Sequence, residues 1–466
     1  MTARRGDVRR VAVVGGGLAG IATALGCADN GHRVTLLESR PRLGGLTHSF
    51  RREGLWVDNG QHVFLRCCTS YLRLLQRLGV RDLVELQQRL DVPVRSEERE
   101  GLGRLRRSAL PAPLHLGSAL IRYRWLTPAQ RLRAAAAALA LGRVDRADPK
   151  VDERSFGDWL ERHGQGPRSV AALWDLVGVA TLNARAADAS LALAATVFQV
   201  GLLEKAEAAD IGWSRVPLQR LHGDAASAAL AAAGVEVRTS ARVTALDDRD
   251  GSWVLTTQAG PSPYDDVVVA TGPLVTDALL PGDAIEAAPG WSRLLGSSPI
   301  INVHLVLDRR VLDEPFVAAA DGPLQWIFDR TEQSGLRAGQ YLAVSLSAAD
   351  ELVGLPVATI RRRLLPHLLR LLPRLGSATI ETLFVTREPH ATFRPAPGSA
   401  RLRPGATTRR PGLHLAGAWT DTGWPATMEG AVRSGEAATA SVARGADQSR
   451  RRAATRPSER PAVVAS

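Results

Sequence analysis

Gly15, Gly17 and Gly20 stand in G-x-G-x-x-G spacing, with Leu18 and Ala19 between the last two. A phosphate-binding turn needs that pattern. The first glycine allows a tight reversal, the second lets a pyrophosphate approach the backbone, and the third lets a helix pack on a strand. Glu38 follows Gly20 by 18 positions, where a carboxylate accepts hydrogen bonds from a ribose diol and disfavours a 2′-phosphate. A second set has acid–base character. Asp58 and His62 belong to the run Asp58-Asn59-Gly60-Gln61-His62, and Glu429 to Trp424-Pro425-Ala426-Thr427-Met428-Glu429-Gly430. All three side chains can exchange a proton. Trp174, Trp213, Trp326 and Trp424 offer aromatic faces. Cys27, Cys67 and Cys68 have neither disulfide nor metal-ligand spacing, so no metal site is expected.

These residues need elements to hold them. Residues 10–14 read as a buried parallel strand, and the glycine turn then opens a helix to about Asn30. Arg33–Leu37 is a second buried strand that ends at Glu38. Pro217 to Ala233 reads as a helix, followed by strands at Val235–Thr239, Arg242–Asp247 and Trp253–Thr257. A buried strand from Asp266 runs into Thr271-Gly272-Pro273. Near the other end, His414-Leu415-Ala416 leads into Gly417 and Ala418, with a helix starting near Thr427.

Arg42-Leu43-Gly44-Gly45 resembles the R-x-G-G extension of the flavin-containing amine oxidase and phytoene desaturase superfamily, with Leu46 where an arginine is usual. Together, the Asp58–His62 and Trp424–Gly430 runs look like the squalene-associated FAD-dependent hydroxysqualene dehydroxylases, over nearly all of residues 8–440. The resemblance implies FAD. It places the cofactor against Gly15, Gly17, Leu18, Ala19, Gly20, Glu38, Ser39, Arg42, Gly44, Gly45, Leu46, Val243, Thr271, Gly272, Gly417, Ala418, Trp424, Pro425, Ala426, Thr427 and Met428. Asp421 or backbone groups would stand in for the acid usual at Ala418, and the helix from Thr427 would aim its positive dipole end at the flavin. The implied reaction converts hydroxysqualene to squalene in bacterial hopanoid or related triterpene synthesis, with Asp58, His62 and Glu429 as candidate proton donors and Trp174, Trp213, Trp326 and Trp424 as candidate walls against a substrate cation. The amine oxidase branch fits less well, because many members carry a lysine at the flavin and no lysine follows Lys205 here. A desaturase oxidising a polyisoprenoid shares fold, cofactor and substrate class. A flavin-binding scaffold without turnover is the alternative of another class.

With 466 residues, 45% of them apolar, the chain can fill two cores. The expected fold is α/β: a discontinuous Rossmann-type FAD domain from residues 1–95, 211–285 and 400–445. Residues 96–210 and 286–399 form an inserted α+β substrate domain, a mixed sheet covered by helices. Capping signals start helices at Thr127-Pro128 and Ser155. Strands are expected at Ile300–Leu307, Gln325–Phe328, Tyr341–Ser347 and Ile380–Thr386, a helix at Leu364–Leu372, and a disordered tail at 446–466. The net charge of +12 rests almost wholly on arginine, and no aromatic-interleaved basic stripe marks a nucleic-acid partner. No apolar run is long enough to span a bilayer and no secretory signal is evident, so a cytoplasmic protein is expected. An isoprenoid substrate would come from the inner face of the cell membrane. The peripheral contact would be residues 104–146, where Leu114, Leu116, Leu120, Ile121, Trp125 and Leu126 lie among arginines. No second nucleotide fingerprint points to the electron donor.

Overall fold

The computed structural model describes the backbone of residues 8–249 and 251–455, and side chains as far as Ala446. Five strands from three distant stretches form one parallel sheet, in the order Glu236–Arg238, Arg33–Leu37, Arg10–Val14, Asp266–Val269, Leu413–Leu415. The central strands are apolar over most of their length because both faces are covered, while the edge strand Glu236–Arg238 stays partly open to solvent. Val11 and Val13 pack under helices Leu18–Asp29 and Met428–Thr455, while Ala12 and Val14 face a second core holding Trp253, Trp174 and Phe198. The two helices meet through small residues. A Cβ on Gly435 would sit 2.5 Å from the Ala19 carbonyl oxygen, and one on Gly26 would sit 2.7 Å from Thr439 Oγ1. The first and last helices of the chain are thus locked on one face.

The part expected to form the substrate domain carries a seven-stranded mixed sheet, ordered Ile380–Thr392, Ser298–Leu307, Gln340–Ser347, Trp326–Asp329, Phe316–Ala319, Asp91–Arg95, Gly103–Arg106. In strand Ser298–Leu307, Ile301, Val303 and Leu305 pack under helix Val357–Leu371 through Ile360, Leu364 and Leu368. Asn302 and His304, on the alternate face, turn toward the cofactor domain. Thr127 caps helix Pro128–Leu141 in a full capping box with Gln130, and the Ser155 hydroxyl accepts from the Asp158 N–H.

Four boundaries differ from the sequence reading. Asp91–Arg95 joins the substrate sheet, although the cofactor domain was drawn to residue 95. Ile211–Ser214 pairs with Val63–Leu65 and Val84–Leu86 in a small separate sheet. Short apolar runs do not say which sheet they join. Instead of a strand at Arg242–Asp247, the chain pairs from Ala245 to Arg249, and the Val235–Thr239 segment supplies the edge of the parallel sheet. The last helix runs on through 446–455, where disorder was expected, because arginine and alanine are good helix formers. The rest of that expected tail, 456–466, lies outside the described residues.

Candidate cofactor and active site

Strand Arg10–Val14 delivers Gly15 at φ +115°, and a Cβ there would lie 2.5 Å from the Ala270 carbonyl oxygen. A Cβ on Gly20 would lie 1.9 Å from the Gly15 carbonyl oxygen, so the helix packs on the turn only without a side chain. Gly17 is different. Its φ of −78° and ψ of 178° suit any residue, and a Cβ on it would meet only the Gly45 Cα at 3.8 Å. The protein's own packing leaves room for a side chain at 17. What a Cβ there would obstruct is a pyrophosphate drawn onto the free N–H groups of the first turn, around Leu18 and Ala19.

Glu38 is buried at the lip of this turn. One carboxylate oxygen accepts from the Gly16 N–H at 2.6 Å, the other from the Arg40 N–H at 2.7 Å and the Ser39 hydroxyl at 3.2 Å. A carboxylate has about four acceptor sites, so capacity remains for a ribose diol. The R-x-G-G turn lies directly on the glycine turn, with the Gly44 N–H donating to the Gly16 carbonyl at 2.9 Å and Gly45 at φ +56°. Arg42 is partly buried there, while Leu46 is exposed. These residues fit a dinucleotide.

At the far end of the chain, Gly417 takes φ +144° and its N–H donates to the Ser434 hydroxyl at 2.8 Å. Trp419 folds back and donates from Nε1 to the Thr271 carbonyl at 2.9 Å, tying this turn to the one that runs through Gly272. Arg403 holds the loop from inside. It donates to the carbonyls of Trp419 at 3.1 Å, Thr420 at 2.7 Å and Trp424 at 2.7 Å, and lies 4.6 Å over the Phe393 ring. Burial pushes its pKa down to about 10. Sequence reasoning missed Arg403, one arginine among many in a stretch without a motif. Ala418, Trp424, Ala426, Thr427 and Met428 are half-buried around the loop, and Pro425 is buried.

Several expectations change here. Asp421 is exposed and accepts from the Gly423 N–H at 3.2 Å, which makes it a turn cap. Glu429 is fully buried and accepts from the Ser70 N–H at 3.2 Å, the Tyr71 N–H at 2.8 Å and Arg433 Nε at 2.7 Å. It caps helix Thr69–Arg77, so its place is structural rather than that of a proton donor. Val243, expected within a strand at Arg242–Asp247, lies ahead of the observed strand Ala245–Arg249, in the apolar core beside Leu246. Trp174 packs between Phe156 and Phe198 with Nε1 bonded to Gln165, a core residue and no substrate wall.

The Asp58–His62 run is a hub between the domains. Asp58 pairs with Arg330 at 2.6 Å and also accepts from the Ser49 hydroxyl at 2.6 Å and the Leu218 N–H at 3.1 Å. With its oxygens so engaged it is a clamp, not a proton donor. The Asn59 side chain donates to the Leu46 carbonyl at 2.6 Å and to Glu388 at 3.1 Å. Its own carbonyl accepts from Thr386 at 3.1 Å and Asn302 at 3.4 Å. Behind Thr386 stand His304 and Tyr341, joined at 3.0 and 2.9 Å in one buried chain. His62 Nδ1 meets the Gly60 carbonyl at 3.1 Å, and burial holds its pKa below the usual range. As the donor of that bond, Nδ1 leaves Nε2 as the working atom. Burial likewise pushes His48 down to about 4 and His222 to about 3. Val63, next to His62, pairs with Trp213 across the small sheet. Trp213 and Trp326 both flank Phe316, with ring centroids 5.6 and 5.8 Å away. Two of the expected aromatic walls are therefore brought together around Phe316, with Trp213 on the strand that pairs with the one following His62.

A sequence model of flavin containing amine oxidoreductases matches residues 18–443. The chain belongs to this family. Hydroxysqualene dehydroxylase of Rhodopseudomonas palustris is 28% identical over 452 residues, covering 92% of this chain and 97% of that protein. Zeta-carotene desaturase of Zea mays is 26% identical over 505 residues, covering 94% and 84%. Among solved structures, putrescine oxidase bound to putrescine superposes with a TM-score of 0.69 at 17% identity, over 94% of this chain and 99% of the other, a likeness of fold. The protein is an FAD-dependent oxidoreductase.

Proposed function

We propose that the protein removes the allylic hydroxyl of hydroxysqualene reductively, giving squalene and water. The observation that carries this reading is His62. Of the three candidate proton donors it alone makes no ion pair among the described residues, and it directly precedes the strand that pairs with Trp213. The end-to-end match with a hydroxysqualene dehydroxylase supports the same substrate. Reduced FAD, when bound, supplies a hydride for the carbon that loses oxygen. The chain's part is the proton and the surroundings. The imidazolium of His62 gives its Nε2 proton to the hydroxyl oxygen as the C–O bond breaks, and solvent reloads it. The allylic cation that develops faces indole rings, which stabilise it by about 0.5–2 kcal/mol each. Asp58 and Asn59 keep the His62 turn in register with the substrate sheet.

Anaerobic single turnover tests this. Reduced holoprotein with hydroxysqualene should yield squalene, while oxidised holoprotein should leave squalene unchanged. The match to zeta-carotene desaturase favours a second reading, oxidative desaturation of a polyisoprenoid. New double bonds formed by the oxidised protein, with a blank reductive assay, would establish that one instead.

A further inference from the structure

Between Gly101 and Val144 the chain has eight arginines and no aspartate or glutamate, although one residue in ten is acidic over the whole sequence. Arg104 and Arg106 pair with Asp91, and Arg107 with Asp210. The other five, Arg122, Arg124, Arg131, Arg133 and Arg143, have no ion pair among the described residues. The same segment holds five of the eleven large apolar side chains exposed among the described residues: Leu110, Leu114, Ile121, Leu132 and Leu139, the last four at 62, 70, 74 and 51%. Leu132 and Leu139 are two turns apart on one face of helix Pro128–Leu141, whose other face buries Ala134, Ala137 and Leu141. Helix Gly117–Arg122 lies alongside, held by Arg131 bonding to the Ile121 and Leu126 carbonyls. Trp125 and Leu126, expected to face outward, are each 1% exposed and anchor the segment against Val92, Val94 and Phe316.

We infer that this face docks on a bilayer surface containing anionic phospholipid. Apolar tips set singly among guanidinium groups suit the headgroup boundary, where the tips reach the acyl chains and the cations meet phosphates. No described helix is long and apolar enough to cross a membrane, so the contact is peripheral. The inference deepens the reading above, since a hydrocarbon substrate dissolves in the bilayer. It rests on that reading for its purpose only, and it is measured without turnover.

Full-length, FAD-loaded protein is floated with vesicles of phosphatidylglycerol and phosphatidylcholine, and with vesicles of phosphatidylcholine alone, at low and high salt. It should float with the anionic vesicles at low salt and stay down in the other conditions. Each arginine at such a surface is worth about fivefold in partitioning. The triple change Arg122→Gln, Arg133→Gln, Arg143→Gln should therefore lower binding by about a hundredfold. Ile121→Ser with Leu132→Ser and Leu139→Ser should also release it, and both variants should keep FAD absorbance and melting temperature. Wild type that never floats, floats equally with neutral vesicles, or floats unchanged in both variants overturns the inference. So does a dimer in solution that the serine variant dissolves, because the face then belongs to a second copy. Turnover of detergent-dispersed hydroxysqualene is scored separately, so either idea can fall alone.

Discussion

Replacing Asp58 by asparagine separates clamping from chemistry. The carboxylate and the Arg330 guanidinium are 2.6 Å apart, with side chains only 6 and 9% exposed. Asparagine keeps the shape and loses the charge. Arg330 would then be left buried with the Ser214 carbonyl, at 3.2 Å, as its remaining partner. Orphaning one member of a buried pair costs about 3–5 kcal/mol, and neutral hydrogen bonds from the new amide recover about 1 kcal/mol. The expected net loss is about 2–4 kcal/mol. Arg330→Met should cost a similar amount, because it strands Asp58. The double variant should cost less than the sum of the two, with a coupling of about 2 kcal/mol. Urea unfolding followed by tryptophan fluorescence reads the stability, and anaerobic single turnover per bound FAD reads the chemistry. The clamp predicts lost stability with the rate per FAD largely kept. An unchanged unfolding midpoint with abolished turnover would refute it and return Asp58 to the reacting atoms.

Gly17→Ala and Gly20→Ala should differ, since only the first leaves the protein's own packing intact. Gly17→Ala should fold with the melting temperature of the apoprotein yet release FAD, whereas Gly20→Ala should lose both, and equal melting would contradict this. The lowered pKa of His62 makes its protonated form commoner as pH falls, so single turnover should quicken on moving from neutral to acid. His62→Gln should flatten that profile, and a rate that instead rises with pH would exclude His62 as donor. His222 and His304 are pushed by burial to about 3, while the unfolded chain protonates near pH ~6.5. Stability is therefore present above that pH and lost below it, by up to about 1.4 kcal/mol per histidine per pH unit, until the folded-state values are reached. His304→Gln should remove about one histidine's share of that slope in pH-dependent urea titrations. Glu429→Ala uncaps helix Thr69–Arg77 and strands Arg433, so about 2 kcal/mol of stability should go while turnover per bound FAD remains.

What could be read from the sequence was local, and what could not depends on distant partners. Strand, glycine turn, helix, second strand and Glu38 occupy about thirty consecutive positions, so their spacing alone specifies a dinucleotide cradle. Yet Gly17 and Gly20 look equivalent in that pattern, and only the folded chain shows that its own packing requires the glycine at 20 and leaves room for a side chain at 17. The Asp58–His62 run stood out in the sequence, but not the contacts that each of its residues makes. Asp58 finds Arg330 272 positions later, and Glu429 caps a backbone 359 positions earlier at Ser70. Nothing near either carboxylate in sequence announces those partners. Arg403 is the extreme case, an ordinary arginine whose task is set wholly by three carbonyls that the folded loop turns inward. A carboxylate that serves as acceptor for a guanidinium and for backbone N–H groups would have to give up one of those bonds to donate a proton. Removing Asp58 and Glu429 on that ground leaves His62, whose Nε2 is the one acid–base atom in the two runs that the fold has not already spent.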